Sequence, residues 1–225
     1  MRCEITIQDT IKSIDFFDEL DKNQLEQLSS ISSVVTYPEK SILFYESDTN
    51  NQIMFLVSGL IKIYKLDKFG NEIFLYHIYK NSMISELTRL EDEGIYCFSN
   101  AEFTEDSLIL KIDYKKFKEL FLSKNILTIK LMNTLLEKTH QLQCIVNREL
   151  VFDATAKVAF MLNQDLAMFN KLKRQEVSFM LHIQPETLSR VLKRLTRNGT
   201  IEIIEGNISI TNEEMLISTF RGVGV

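Results

Sequence analysis

Cysteine is scarce in this chain. The three present, Cys3, Cys97 and Cys144, lie far apart and form no CxxC. Neither a disulfide framework nor a zinc site is indicated, and a reducing cytoplasm is the expected setting. Long apolar runs are missing too. No stretch reaches the roughly 18 residues that would suggest a membrane-spanning helix, and "MRCEITIQDTIKSIDFFDEL" has no signal-peptide apolar segment. The expectation is a cytoplasmic, untethered protein with no membrane partner. Histidine is also rare, at three residues. No nucleophile, base and orienting group surround them, so no metal is expected and an enzyme is not expected. The remaining composition, 45% hydrophobic and 25% charged over 225 residues, is that of a globular chain long enough for one large or two modest domains.

The formal net charge of −5 conceals an asymmetry. Residues 1–150 carry 17 bases and 23 acids, whereas residues 151–225 carry 9 bases and 8 acids. Within 171–197 there are 7 bases against 2 acids. A basic patch on an acidic protein is an electrostatic footprint for an anion such as a phosphate backbone, although short basic runs also occur as solvated surface.

Along the chain, 9–31 reads as short helical segments. From about Val34 the pattern becomes strand-like, "SILFYESDTNNQIMFLVSGLIKIYKLDKFGNEIFLYHIYKNSMI", with polar turns at short intervals. A hairpin is expected at Asp67–Asn71. The run to Asp113 adds further strands, and a closed β-roll or jelly roll is expected. "DYKKFKELF" turns helical. Residues 126–150 contain no Gly or Pro and place Ile126, Ile129, Met132, Leu136, Leu142 and Val146 at apolar positions of one long helix. Such a helix between two globular parts is expected to pair with a second copy. Next come a helix over "FDATAKVAFMLNQDLAMF", a short helix at "RQEVSFML", a turn at "HIQ", a helix at "PETLSRVLKRLTRN" and a hairpin around Gly206–Asn207. Helix, turn, helix and β-wing make a winged helix-turn-helix. In its second helix Leu188, Val191, Leu192 and Leu195 mark the buried face, and Glu186, Ser189, Arg190 and Lys193 repeat that spacing on another. The fold class is therefore α+β: an N-terminal β-roll (1–122), a long dimerisation helix (123–150) and a winged helix-turn-helix (151–225).

This order, and above all "RQEVSFMLHIQPETLSRVLKRLTRNGTIEIIEGNISIT", resembles the Crp/Fnr family of bacterial transcription regulators over nearly the whole chain. "FLVSGLIKIYK", with Gly59, is similar to a strand of that family's cyclic-nucleotide-binding-like roll. The resemblance implies a homodimer on double-stranded DNA, with RNA polymerase as a further partner. It implies that Glu186, Ser189 and Arg190 read a TTGA-type half-site, as matching residues do in the Fnr-like branch. Chemistry agrees: Arg pairs bidentately with guanine and a carboxylate accepts from cytosine N4. Arg174, Gln175, Thr187 and Lys193 are the expected phosphate contacts. Glu186 and Arg190 are also spaced to pair with each other along the helix. His182 stands where relatives often carry Gly, and its backbone is expected to be left-handed. The segment between Asn163 and Lys173 is short, so a polymerase-touching surface of some relatives is not expected there.

The effector side departs from the family. Its cyclic-nucleotide cassette carries Gly-Glu, then an Arg-Ser or Arg-Thr pair about ten residues on, which together hold a phosphate. Here Ser85 replaces the Gly, Glu86 is kept, and no Arg lies near Ile95, Tyr96 and Cys97. Binding of cAMP is not expected. An iron–sulfur cluster is not expected either, because only Cys3 lies near the N-terminus. Haem stays open, with His77 or His140 as ligands; a histidine in either place is more often an ordinary packed or surface residue. The candidate effector pocket is Ser85, Glu86, Tyr96, Cys97 and His77. Phe55, Phe74, Tyr76 and Phe98 are read as core. The competing reading is a ligand-binding roll with a protein-binding winged helix and no role on DNA.

Overall fold

The computed structural model describes residues 6–221. Two helices lead in, α1 (Ile7–Lys12) and α2 (Lys22–Ser30). Asp21 opens α2 with a capping box, accepting from the Gln24 N–H while the Gln24 side chain accepts from the Asp21 N–H. Strands β1 (Ser32–Tyr37), β2 (Ile42–Phe44), β3 (Thr49–Asn50), β4 (Gln52–Ser58), β5 (Ile61–Leu66), β6 (Glu72–Ile78), β7 (Ser82–Met83), β8 (Ile95–Tyr96), β9 (Asn100–Phe103) and β10 (Ser107–Asp113) follow. They form two antiparallel four-stranded sheets, ordered β1-β10-β4-β7 and β2-β9-β5-β6, and a short β3-β8 ribbon.

The run "QIMFLV" reads as unbroken hydrophobicity because β4 is covered on both faces. Met54 and Leu56 point into the roll with Ile61, Ile63, Phe103 and Ile109. Ile53 and Phe55 point to the other side, where Phe16, Phe17, Phe117, Phe121 and Leu131 cover them. The β4–β5 corner turns at Gly59, φ +97°. A Cβ there would collide with Ser107, so glycine is required both for its backbone and for the close approach. The β5–β6 hairpin closes at Asp67–Asn71 as expected, with the Asp67 carboxylate accepting from the Phe69 and Asn71 N–H groups.

Helix α3 (Tyr114–Leu120) closes the roll. The long helix α4 spans Thr128–Leu150, about 35 Å at 1.5 Å per residue. It begins two residues later than its apolar pattern suggests, because Asn125 and Leu127 take left-handed backbone, at φ +60° and +62°, which no right-handed helix includes. Its inner face holds Leu131 and Leu135. Its outer face leaves Ile129, Met132, Leu136, Val146 and Leu150 exposed. The chain divides into two compact units between His140 and Gln141, within this helix.

In the second unit, "FDATAKVAFMLNQDLAMF" is two helices rather than one: α5 (Ala154–Gln164) and α6 (Leu166–Lys171). Asp165 leaves helical backbone, and its carboxylate accepts from the Met168 N–H at 2.8 Å. It thereby ends one helix and caps the next. Then come α7 (Arg174–Met180), α8 (Pro185–Arg197), the wing strands β11 (Ile201–Ile204) and β12 (Asn207–Ile210), and α9 (Glu213–Arg221). The wing turns one residue earlier than expected, at Glu205 and Gly206, both with positive φ, as a primed two-residue hairpin requires. Helix α9 lies beyond the reach of the sequence pattern. It packs on α5, with the Phe220 ring edge-on to Phe160 at 5.4 Å.

Candidate nucleic-acid interface

Helix α8 is built as its two stripes imply. Pro185 occupies the first turn, where its missing N–H has no partner to lose. Leu188, Val191, Leu192 and Leu195 are buried, anchoring one face. Glu186, Ser189, Arg190 and Lys193 stand exposed on the other. The Glu186 and Arg190 side chains do not pair: no side-chain hydrogen bond or ion pair joins them among the described residues. The Ser189 hydroxyl donates to Pro185 O at 3.0 Å, which leaves its oxygen free to accept. The face therefore presents an acceptor, a hydroxyl and a five-donor fork to solvent. Lys193 extends it, Thr187 lies half-buried at its edge, and Gln175 is exposed on α7.

Arg174, expected as a phosphate contact, is half-buried and engaged within the fold. Its Nη2 donates to Gly206 O at 3.0 Å, its guanidinium stacks 5.2 Å over the Phe169 ring, and its Nη1 is buried without a partner. Burial also lowers its pKa. Next to it, Asn170 clamps β12, donating to Ile208 O at 2.9 Å and accepting from the Ile208 N–H at 2.8 Å. Arg174 thus holds the wing. The wing is 32 residues away in sequence, so no local pattern announces this role.

The turn between α7 and α8 contains His182 at φ +52°, the left-handed backbone expected of it. Its Nδ1 lies 2.9 Å from Glu149 Oε2 near the end of α4. Lys157, itself buried, donates to the same oxygen at 3.1 Å and to Leu181 O at 3.3 Å, and Arg148 Nε donates to Glu149 Oε1 at 2.7 Å. Burial would raise the Glu149 carboxyl, but the hydrogen bonds from His182, Arg148 and Lys157 outweigh it and hold the pKa at about 2.

On the roll, the cassette residues are occupied by the fold. Ser85 is buried, and its Oγ accepts from the Met54 N–H at 2.9 Å. The Glu86 carboxylate accepts from the Phe98 N–H at 2.9 Å, the Ser99 hydroxyl at 3.1 Å and the Tyr76 hydroxyl at 3.3 Å. Burial, then the Glu86 charge, raises the Tyr76 phenol. Tyr96 and Phe98 are partly exposed and meet edge-on at 4.7 Å, so Phe98 is not core as expected; Phe55 and Phe74 are. Burial pushes the Cys97 thiol up to about 11, past the lowering effect of the Asn50 amide. The His77 ring packs against Phe74 and Tyr79, and His140 is exposed on α4. No group of three or more potential metal ligands occurs among the described residues.

One residue of this region escaped the sequence reading. Lys138 is half-buried, and burial lowers its pKa to about 8 against the pull of Glu86. The available signal was its place on the inner face of α4, seven residues after Leu131 and three after Leu135.

Residues 34–124 match the cyclic nucleotide-binding domain model and residues 156–219 the Crp-like helix-turn-helix domain model. A roll of this kind followed by this DNA-binding domain makes the chain a DNA-binding transcription regulator. It belongs to the Crp/Fnr family of such regulators. The cAMP-activated global transcriptional regulator CRP of Salmonella typhimurium is 25% identical over 187 residues, covering 79% of this chain and 89% of that protein. The anaerobic regulatory protein of Bacillus subtilis is 25% identical over 223 residues, covering 88% of each. Among solved structures, the fold is shared with a mutant of CooA from Carboxydothermus hydrogenoformans, at TM-score 0.67 and 20% identity over 84% of this chain and 88% of that one. It is shared as well with the c-di-GMP responsive regulator CLP of Xanthomonas campestris, at TM-score 0.62 and 18% identity over 84% of this chain and 99% of that one.

Proposed function

We propose that the chain is a homodimeric regulator that binds an inverted repeat of TTGA type, pairing through the outer face of α4. Arg190 reads a guanine, Glu186 accepts from the cytosine paired with it, and Ser189 contacts a thymine. Gln175, Thr187 and Lys193 hold phosphates, setting register without reading sequence. The observation that carries this reading is the unpaired Glu186 and Arg190 on the exposed face of α8. Two acceptor and donor groups spaced to neutralise each other are instead both available.

The effector, where one acts, is other than cAMP. Ser85 and Glu86 already spend their oxygens inside the roll, and no Lys or Arg stands between Arg89 and Lys111 to meet a phosphate. RNA polymerase is the partner through which such a regulator acts. The protein works in the cytoplasm, where its DNA is.

The test is Arg190→Ala in a fluorescence anisotropy titration against a TTGA…TCAA duplex and a scrambled one. Loss of a bidentate guanine contact removes about 1–3 kcal/mol of discrimination at each half-site, so preference for the specific duplex falls by at least roughly 5- to 150-fold, and by more where both half-sites are engaged, with the dimer intact. An unchanged preference in the variant contradicts the readout.

A further inference from the structure

We propose that Glu149 is a positioning residue for the recognition helix, and that its links to the helix-turn-helix turn set the spacing between half-sites that the dimer accepts. This rests on the dimeric reading above. Glycine takes left-handed backbone without strain, whereas histidine takes it at a cost, so a histidine at position 182 calls for a compensating contact. The Nδ1 of His182 supplies it at 2.9 Å from Glu149 Oε2. A second link runs from the same oxygen through Lys157 Nζ, at 3.1 Å, to Leu181 O at 3.3 Å. Two adjacent residues of the turn, three and four positions before Pro185 begins α8, are therefore tied to one carboxylate.

That carboxylate stands one residue before the end of α4, between Val146 and Leu150 of the exposed apolar face. Arg148 Nε holds its other oxygen at 2.7 Å. The Lys157, Arg148, Glu149 and His182 side chains are 11%, 13%, 25% and 28% exposed, so the network is partly shielded from the screening that weakens surface pairs, least so at His182. In a dimer, half-site spacing follows from where each recognition helix is held. Here the holding point at the end of the pairing helix is Glu149.

The experiment measures anisotropy on TTGA…TCAA duplexes whose spacer is varied one base pair at a time, together with a duplex carrying a single half-site. Wild type, Glu149→Ala, Glu149→Gln and His182→Gly are compared. Wild type prefers one spacer by about tenfold or more, a difference of about 1.4 kcal/mol. Glu149→Ala reduces that preference to about twofold and leaves single-half-site affinity unchanged, which a folding defect would not do. Glu149→Gln keeps an acceptor at the same place and restores most of the preference. His182→Gly cuts the first link from the other side while relieving the backbone and leaves the Lys157 link in place, so it lowers the preference part of the way even if the alanine variant does not fold. Retention of the wild-type preference by Glu149→Ala or by His182→Gly overturns the positioning role alone. A wild type indifferent to spacing overturns the dimeric reading and the role with it.

Discussion

At the residue scale, chemistry is decided by what each side chain already touches. Cys97 shows this. It is buried beside Asn50, with its thiol pushed up to about 11, so little of it is the reactive thiolate near neutral pH. Iodoacetamide at pH 8 is expected to alkylate the half-buried Cys144 of α4 and to leave Cys97 intact until the protein is denatured; fast labelling of native Cys97 would contradict its burial. The linkage at Glu149 has the opposite sign. Its folded pKa lies below the usual carboxylate value, so its contribution to stability is full above about pH 5 and lost as pH falls toward 2. Glu186, Ser189 and Arg190 were legible in sequence because a helix repeats its faces every three or four residues. The ties of Arg174 to Gly206 and of Glu149 to His182 were not, because they span 32 and 33 residues and the spacing of neighbours says nothing of them.

At the element scale, periodicity located the strands, α4 and α8, and local polar chemistry decided where they stop. The α5–α6 break depends on one Asp165 carboxylate, and the late start of α4 on two left-handed residues. Neither interrupts the hydrophobic pattern, so neither was visible in it. The wing was legible, but its attachment was not. If Arg174 holds the wing rather than a phosphate, Arg174→Ala weakens DNA binding but leaves the slope of log affinity against log salt unchanged. Loss of a phosphate contact would reduce that slope by about 0.9 for each subunit bound. On α4, Leu136 is exposed on the face proposed to pair with a second copy. Leu136→Glu is expected to convert the protein to a monomer in sedimentation without lowering its helix content, and a variant that stays dimeric would place the interface elsewhere.

At the scale of the whole molecule, the order roll, long helix, winged helix was readable from the change of period at Val34 and back at Tyr114. The order of strands within each sheet was not, since β1 pairs with β10 and β2 with β9 and no local signal specifies such distant partners. The same limit applies at the cassette: the substitution of Ser85 was plain in the sequence, whereas the use of Ser85 and Glu86 as internal ties required the structure. The resulting molecule carries the family's helix-turn-helix domain and ties Ser85 and Glu86 into its own roll. The most direct test is an anisotropy titration of the wild-type protein against a TTGA…TCAA duplex and a scrambled duplex at two salt concentrations, with and without cAMP. The account predicts tight binding that favours the specific duplex, weakens steeply with salt and is unmoved by cAMP; equal binding to both duplexes, or selectivity that appears only when cAMP is added, would contradict it.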